Sequence, residues 1–428
     1  MRQKTIFLIC ILSVCSMLAG CKEENISYED TYIEGQDFQY MYYGNTYENG
    51  VSMAETEDGY YKLLDHYIYY IEKETMKAVP LCGKTDCLHE KETVAHKTDC
   101  NAYIDSEDGY MNLYKDQLYV RTTVYDQEEQ TNYSEFYEIS LDGSQRNKVC
   151  QVKEDNIQLW MIHRGKIYYA VDEKGANDKQ QIALKALDLK KPNKSETLFV
   201  LDDVFSGTAQ DLVAYGNYVY LYVEGFNEDI SDLDEMEEKK WAEKYENRWI
   251  CYHINTGKTT ELFKEQKKNG TLKQIVQRIV FWQDSLFYTY YDLEQAGTKL
   301  VYKSKLDGTE GQEWMQLEDS MDSFTADRNH FYVYNTWRDA VAKKKEKPVM
   351  SVYDKNGKRV DQFEINASPY LHFAPGSETY FWITNAEETQ DSLVYINKKN
   401  IGSLHGKKIE AKLCYSMKPK DEETMEEE

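Results

Sequence analysis

The sequence contains little proline, little glycine and few basic residues for its length. Its 428 residues include 6 prolines and 22 glycines, and 51 Lys and Arg stand against 75 Asp and Glu, which gives a formal net charge of −24. Bulk negative charge repels nucleic acid phosphates, so we expect no nucleic acid partner. No run of 18 or more apolar residues follows the first twenty positions, and this excludes a multispan membrane protein.

Aromatic residues are abundant instead. The chain has 37 tyrosines, and 14% of its residues are Phe, Trp or Tyr. With 41% hydrophobic residues it is too apolar for a disordered acidic protein. Because aromatic side chains favour the half-buried, pleated surfaces of β-sheets, the composition predicts a folded protein rich in β-structure.

Residues 1–20 have the pattern of an export signal. Two basic residues precede an apolar run from Ile6 to Leu18, which is too short for a comfortable bilayer span. The small residues Ala19 and Gly20 then precede Cys21, as in a bacterial lipobox. We expect a lipoprotein signal peptide, with Cys21 acylated by chains such as palmitate that anchor the protein in membrane lipid at the extracytoplasmic face of the cell membrane. The alternative is an ordinary secretory signal or an N-terminal anchor helix.

Two further segments lack a regular hydrophobic period. Residues 21–49 are mostly polar, so we interpret them as a tether between the lipid and the folded domain. The last eight residues contain six acids, and we predict that residues 417–428 form a disordered acidic tail.

A unit of about fifty residues recurs between positions 50 and 416. A pair or triplet of aromatic and β-branched residues marks it seven times, and the spacings between marks are 50, 49, 52, 67, 45 and 49 residues. The marks are centred on Tyr69, Tyr119, Tyr168, Tyr220, Phe287, Tyr332 and Phe381. The first mark, at Tyr69, can belong to a different strand of its unit from the strand that carries the other six marks.

Turn residues repeat with the same unit. Gly143, Gly257, Gly308 and Gly357 each follow Asp, Asn or Thr, the composition of a hairpin turn that needs positive φ, and each precedes a short β run. The sequence therefore predicts an all-β, seven-bladed β-propeller over residues 50–416. Six or eight blades, or an irregular all-β protein, are the alternatives.

The longest spacing contains an acidic insertion. Residues 227–247 hold nine acids, and apolar residues recur there at steps of three and four. This pattern predicts one inserted acidic helix with a narrow apolar edge.

A cysteine- and histidine-rich loop lies at residues 82–104. It contains Cys82, Cys87, His89 and Cys100, with His96 as a second histidine. Three thiolates and one imidazole at short separations suit a structural zinc site. An exported protein meets oxidising conditions, so a disulfide of Cys82 or Cys87 with Cys100 is an equal alternative.

The loop also carries a resemblance. The segment from Tyr69 to Thr75, followed by Pro80 to His89 and closing with Cys100 to Tyr103, resembles a pattern in Gram-positive gut-bacterial surface lipoproteins with β-propeller domains, most of them of unknown function. The resemblance implies a fold and a location rather than an activity. The gap before Cys100 is longer here than in the compact form of the pattern, which leaves the fourth ligand in doubt and favours His89 over His96.

No local catalytic motif occurs, and the predicted innermost strands are aromatic and nearly free of acids. We expect a non-catalytic binding or scaffold module for a glycan, a peptide or an envelope protein. The candidate ligand platforms are Trp160, Trp282, Trp337 and Trp382, although residues of this type more often fill the core between blades. The alternative function is a carbohydrate-active hydrolase or lyase with its site at the propeller axis.

Overall fold

The structure is a computed structural model. It describes residues 29–42, 53–64, 66–89, 98–105, 110–154, 156–175, 180–204, 206–228, 244–268, 271–292, 297–318, 323–335, 348–366, 371–386 and 391–416. The signal peptide, Cys21, His96, Trp337 and the acidic tail lie outside these residues, so the predictions about them stay predictions.

Seven antiparallel sheets follow one another along the chain, each built mainly of four strands. Blade 1 contains β1 (Met53–Glu55), β2 (Gly59–Leu64), β3 (Tyr67–Glu72) and β4 (Ala78–Pro80). Blade 2 contains β5 (Met111–Tyr114), β6 (Gln117–Asp126), β7 (Thr131–Ser140) and β8 (Arg146–Val152). Blade 3 contains β9 (Ile157–His163), β10 (Lys166–Lys174), β11 (Gln180–Asp188) and β12 (Ser195–Leu201). Blade 4 contains β13 (Ser206–Tyr215), β14 (Tyr218–Phe226), β15 (Tyr245–His253) and β16 (Thr259–Leu262). A small hairpin of β17 (Lys267–Lys268) and β18 (Thr271–Leu272) precedes blade 5.

Blade 5 contains β19 (Gln274–Ile275) and β20 (Ile279–Trp282), which both pair with β21 (Ser285–Asp292), then β22 (Gly297–Ser304) and β23 (Gln312–Gln316). Blade 6 contains β24 (Ser323–Ala326), β25 (Phe331–Tyr334), β26 (Val349–Tyr353) and β27 (Arg359–Asn366). Blade 7 contains β28 (Leu371–Ala374), β29 (Tyr380–Ala386), β30 (Asp391–Asn397) and β32 (Lys412–Ser416), while β31 (Lys408–Glu410) pairs in parallel with β27. The predicted seven-bladed propeller is confirmed.

The repeated aromatic mark lies in the second strand of blades 2, 3, 4, 6 and 7 and in β21 of blade 5. Tyr69 instead lies in β3, the third strand of blade 1. These residues fill the spaces between blades. The rings of Tyr332 and Phe381 lie 4.5 Å apart between blades 6 and 7, and those of Tyr60 and Trp382 lie 4.9 Å apart between blades 1 and 7. Alternating aromatic and aliphatic side chains, buried on both faces of each sheet, therefore hold neighbouring blades together.

The predicted turns also form as expected. Gly143, Gly257, Gly308 and Gly357 all have positive φ, between 67° and 79°. They lie between the third and fourth strands of blades 2, 4, 5 and 6. A side chain is disfavoured there because L-residues rarely adopt this conformation.

The acidic insertion lies mostly outside the described residues. β14 ends at Phe226 and β15 begins at Tyr245. The predicted helix over 227–247 is thus wrong at its end, since Tyr245 to Asn247 pair with β14 as strand residues. The part of the chain that the structure describes contains no helix long and apolar enough to cross a bilayer.

The tether prediction is wrong for residues 29–42, which we name the hub segment. Phe38, Met41 and Tyr42 are buried there, and residues Tyr40–Tyr42 form a short 3-10 helix. Apolar residues spaced too irregularly for one helix or strand gave no periodic signal, but they pack against the blades.

Candidate functional site

The predicted cysteine and histidine ligands converge in space. One ligand atom from each of Cys82, Cys87, His89 and Cys100 lies within 4.8 Å of the other three, and His89 Nδ1 lies 3.5 Å from Cys100 Sγ. All three cysteines are free thiols in this structure, and their sulfurs are close together. The arrangement of three sulfurs and one ring nitrogen could hold a metal ion of the kind that prefers soft ligands.

Local hydrogen bonds place these side chains. The His89 carbonyl accepts from the Tyr67 hydroxyl at 2.7 Å, and His89 itself has positive φ of 54°. Asn101, next to Cys100, donates to the Gly143 carbonyl at 2.9 Å. The loop is thereby tied to blade 1 and to a turn of blade 2.

The surroundings affect two of the thiols in opposite directions. Burial raises the pKa of the Cys100 thiol to about 12, assisted by the neighbouring sulfurs. Burial also disfavours the Cys82 thiolate, but backbone amides of Lys84 and Asn101 and the neighbouring thiols outweigh it, so the pKa of Cys82 is lowered. Binding of a metal ion requires deprotonation, so affinity would rise with pH.

The hub segment contacts all seven blades at the turns between their first and second strands, or at the ends of those strands. Its partners in blades 1 to 7 are Glu55, Lys115, His163, Asn217, Phe281, Arg328 and Gly376. Since first strands of neighbouring blades contact one another at the centre, the segment closes one end of the central channel. We name this end the hub face.

The hub segment also forms a buried ion pair with Arg164, in the turn between β9 and β10 of blade 3. Arg164 holds Asp37 through two bonds of 2.6 and 3.0 Å, and both side chains are no more than 1% exposed. The same guanidinium donates to the carbonyls of Glu29 and Thr31 and to Asn217. A planar, fully hydrogen-bonded Arg is suited to a buried pair of this kind.

The neighbouring His163 is held neutral. Its Nδ1 accepts from the Phe38 amide at 3.1 Å, and its Nε2 lies 2.8 Å from the Gly216 carbonyl, to which it donates. Burial lowers the pKa of His163 to about 4. The hub segment is therefore fastened by a neutral histidine as well as by an ion pair.

A cavity of about 470 Å³ opens beside the hub segment, between blades 1, 2, 6 and 7. Among its lining residues, the hub segment and blade 1 supply Tyr32, Glu34, Gln39, Met41, Tyr42, Glu55, Thr56, Glu57 and Lys73. Blades 2, 6 and 7 supply Leu113, Lys115, Asp116, Arg328, Ser377, Glu378 and Thr379. A cavity of this size matches small-molecule sites in proteins.

Glu55 is the most constrained acid of this cavity. Its carboxylate accepts from the Tyr42 hydroxyl and pairs with Lys73 at 2.8 Å. Gln39 forms two bonds of 2.9 Å with the Glu55 backbone. The hub segment thus determines where this carboxylate lies, and its side chain remains 19% exposed to the cavity.

A second acidic group lies in β13, displaced from the hub face towards the other end of the strand. Asp211 is buried in β13, and its Oδ1 has no hydrogen-bond partner among the described residues. Burial raises the pKa of Asp211 to about 7, although the Leu212 amide and the charge of Arg278 oppose the rise. Arg278 donates to the Tyr334 hydroxyl at 3.1 Å.

The prediction that tryptophans form ligand platforms is wrong for the three that the structure describes. Trp160, Trp282 and Trp382 are at most 2% exposed and pack between strands of their own and neighbouring blades. A ligand cannot stack on rings that are already covered, so these three residues are packing residues.

Sequence reasoning missed Glu55, Asp211 and the hub segment. Nothing in their local pattern distinguishes them, because Glu55 ends a three-residue strand and Asp211 follows a bulge in β13. The available signal was the group of aromatic residues at 32, 38, 40 and 42 inside a segment otherwise typical of a tether.

Solved structures of similar fold include a prolyl endopeptidase, with 13% identity over 81% of this chain and 46% of that chain, at a TM-score of 0.49. An oligogalacturonate lyase in complex with manganese has 12% identity over 85% of this chain and 89% of its own, at a TM-score of 0.47. Porphyromonas gingivalis dipeptidyl peptidase 4 has 10% identity over 84% of this chain and 53% of that chain, at a TM-score of 0.42. This chain thus spans less than half of the prolyl endopeptidase. No protein-family model and no curated protein matches the sequence.

Proposed function

We propose that the protein is an extracytoplasmic lipoprotein, anchored to the cell membrane through acylated Cys21, whose propeller is a non-catalytic binding module. The signal-peptide pattern of residues 1–20, directly before Cys21, supports the anchor. The ligand classes are those expected from the sequence, namely a glycan, a peptide or an envelope protein.

The cavity at the hub face carries this proposal. Two of its five acids, Glu55 and Glu34, are paired, with Lys73 at 2.8 Å and with Arg328 at 2.5 Å. Acid–base catalysis by two carboxyl groups needs one to give and one to accept a proton. Paired carboxylates instead supply fixed hydrogen-bond acceptors for a ligand.

A soluble protein comprising Lys22 to Glu428 tests the binding function on a glycan array, with a parallel screen for product release. We expect retention of at least one glycan class and no turnover. Release of sugar from any retained glycan would contradict the non-catalytic reading. In cells, Cys21→Ala should abolish incorporation of a palmitate analogue and release the protein from the membrane fraction.

We also propose that the metal of the Cys/His cluster is zinc in a structural role, because three thiolates and one imidazole complete a tetrahedral shell. Elemental analysis should give one zinc per chain, and a chelator should lower the thermal midpoint. Cys87→Ser should reduce the zinc content, whereas Cys150→Ser in β8 should leave it unchanged. Stoichiometric binding that survives loss of Cys87 would contradict the assignment.

A second candidate function is the hydrolase or lyase, and Asp211 is the observation that favours it. A carboxyl group with a pKa near 7 can hold and release a proton at neutral pH, as an acid–base catalyst must. The charge of Arg278 acts on Asp211, and its guanidinium would attract an anionic substrate. Oligogalacturonate, with and without manganese, belongs in the turnover screen, and any activity that persists in Asp211→Asn would exclude this site.

A further inference from the structure

The charges around the hub-face cavity favour one chemical class of ligand. Five acidic and three basic residues line it, so its net charge is −2. After the Glu55–Lys73 and Glu34–Arg328 pairs are formed, Glu57, Asp116 and Glu378 have no ion-pair partner among the described residues. Lys115 is the single base that remains. The cavity therefore attracts a positively charged ligand and repels an acidic one.

The acidic side chains are spread around the cavity and do not converge on a single point. Among the described residues, the Cys/His cluster is the one group of three or more metal-ligating side chains close enough to hold an ion. The carboxylates of the cavity are thus too far apart for a bare metal ion. Charges distributed around a space of about 470 Å³ suit an organic cation.

Hydroxyl groups also face this region. Thr56, Ser377 and Thr379 line the cavity and carry hydroxyl groups. A hydroxyl group both donates and accepts hydrogen bonds, so these residues suit a ligand with polar groups of its own.

Apolar side chains complete the wall. Tyr32, Tyr42, Met41 and Leu113 line the same cavity as the carboxylates. A sugar ring presents a C–H face and a set of hydroxyl groups, so it satisfies both kinds of wall at once. A linear polyamine provides the charge but neither the hydroxyl groups nor the ring.

We propose that the cavity at the hub face binds a short glycan with free amino groups, of about two sugar rings. The inference rests on the proposed binding function and names the site and the ligand class within it. The whole chain has a net charge of −24, so bulk charge alone would attract any cation. Selectivity for the amino sugar therefore comes from the positions of Glu55, Glu57 and Glu378 around the cavity.

Calorimetric titration of the Lys22 to Glu428 protein tests this with three disaccharides, of glucosamine, of N-acetylglucosamine and of galacturonic acid. We expect the glucosamine disaccharide to bind about tenfold more tightly than its acetylated form, because acetylation removes the positive charge. The galacturonic acid disaccharide should bind most weakly. Equal affinity for the first two, or a linear polyamine that binds as tightly as the amino sugar, would overturn the proposal.

Two exposed acids give the matched variants. Glu57→Gln with Glu378→Gln removes two cavity charges without touching a buried contact, and should weaken glucosamine disaccharide binding about tenfold. Glu313→Gln changes an exposed acid in β23, outside the cavity, and should change nothing. If array ligands still bind and the double variant binds them normally, this inference fails while the binding function stands. If no glycan binds at all, this inference fails, and the proposed binding function is limited to a peptide or an envelope protein.

Discussion

Arg164→Ala should lower the free energy of unfolding by about 3–5 kcal/mol, since it leaves the Asp37 carboxylate buried without its partner. Both side chains are no more than 1% exposed, so the carboxylate has lost its hydration in the folded protein and depends on the guanidinium. The carbonyls of Glu29 and Thr31 lose a donor in the same step. Urea denaturation of the soluble protein measures this loss.

The hub segment supplies its own matched control. Arg328 also pairs with a hub-segment acid, Glu34, but these side chains are 46% and 70% exposed. Arg328→Ala should therefore cost less than about 1 kcal/mol. Similar losses for the two variants would show that the Arg164 pair does not hold the segment in place.

Asp211→Asn should stabilise the protein at pH 8 by about 2–4 kcal/mol and have no effect at pH 4. Burial raises the pKa of Asp211 from 3.8 to about 7, so the folded protein keeps a proton that the unfolded chain has released. The stability that protonated Asp211 contributes is complete below about pH 4 and is lost as the pH rises to about 7. Asparagine keeps an oxygen for the Leu212 amide and carries no charge.

Denaturation of wild type and variant across pH 4–8 gives this difference directly. His163 changes stability in the opposite direction, since a folded pKa of about 4 makes the protein less stable as pH falls from 6.5. That contribution is common to both proteins and cancels in the comparison. An Asp211→Asn variant that gains nothing at pH 8 would contradict the burial of a charged carboxylate. A gain accompanied by lost turnover would favour the catalytic candidate.

The sequence was sufficient to predict the propeller because its evidence repeats. Seven aromatic marks and four Gly-containing turns report one local structure many times, so a single departure such as Tyr69 in β3 does not change the count. The Cys/His ligands were equally visible, because side-chain chemistry and short spacing lie together in one loop. The spacing does not distinguish a metal site from a disulfide, because both need the sulfurs close together.

The remaining features depend on contacts distant in sequence. Asp37 meets Arg164 across 127 positions, and neither residue shows a local pattern. Trp160, Trp282 and Trp382 are covered by neighbouring blades, which no single strand reveals. A buried acid such as Asp211 is recognised by its surroundings, which exist in the fold alone.

The central claim is that residues 29–42 belong to the fold, close one end of the channel and form a wall of the ligand cavity. Hydrogen–deuterium exchange of peptides from this segment tests it most directly. Bonded amides of Asp37, Phe38 and Tyr42 should exchange as slowly as the amides of the central blade strands, and Arg164→Ala should accelerate them. Complete exchange of this segment at the earliest time, in an otherwise protected propeller, would contradict the account.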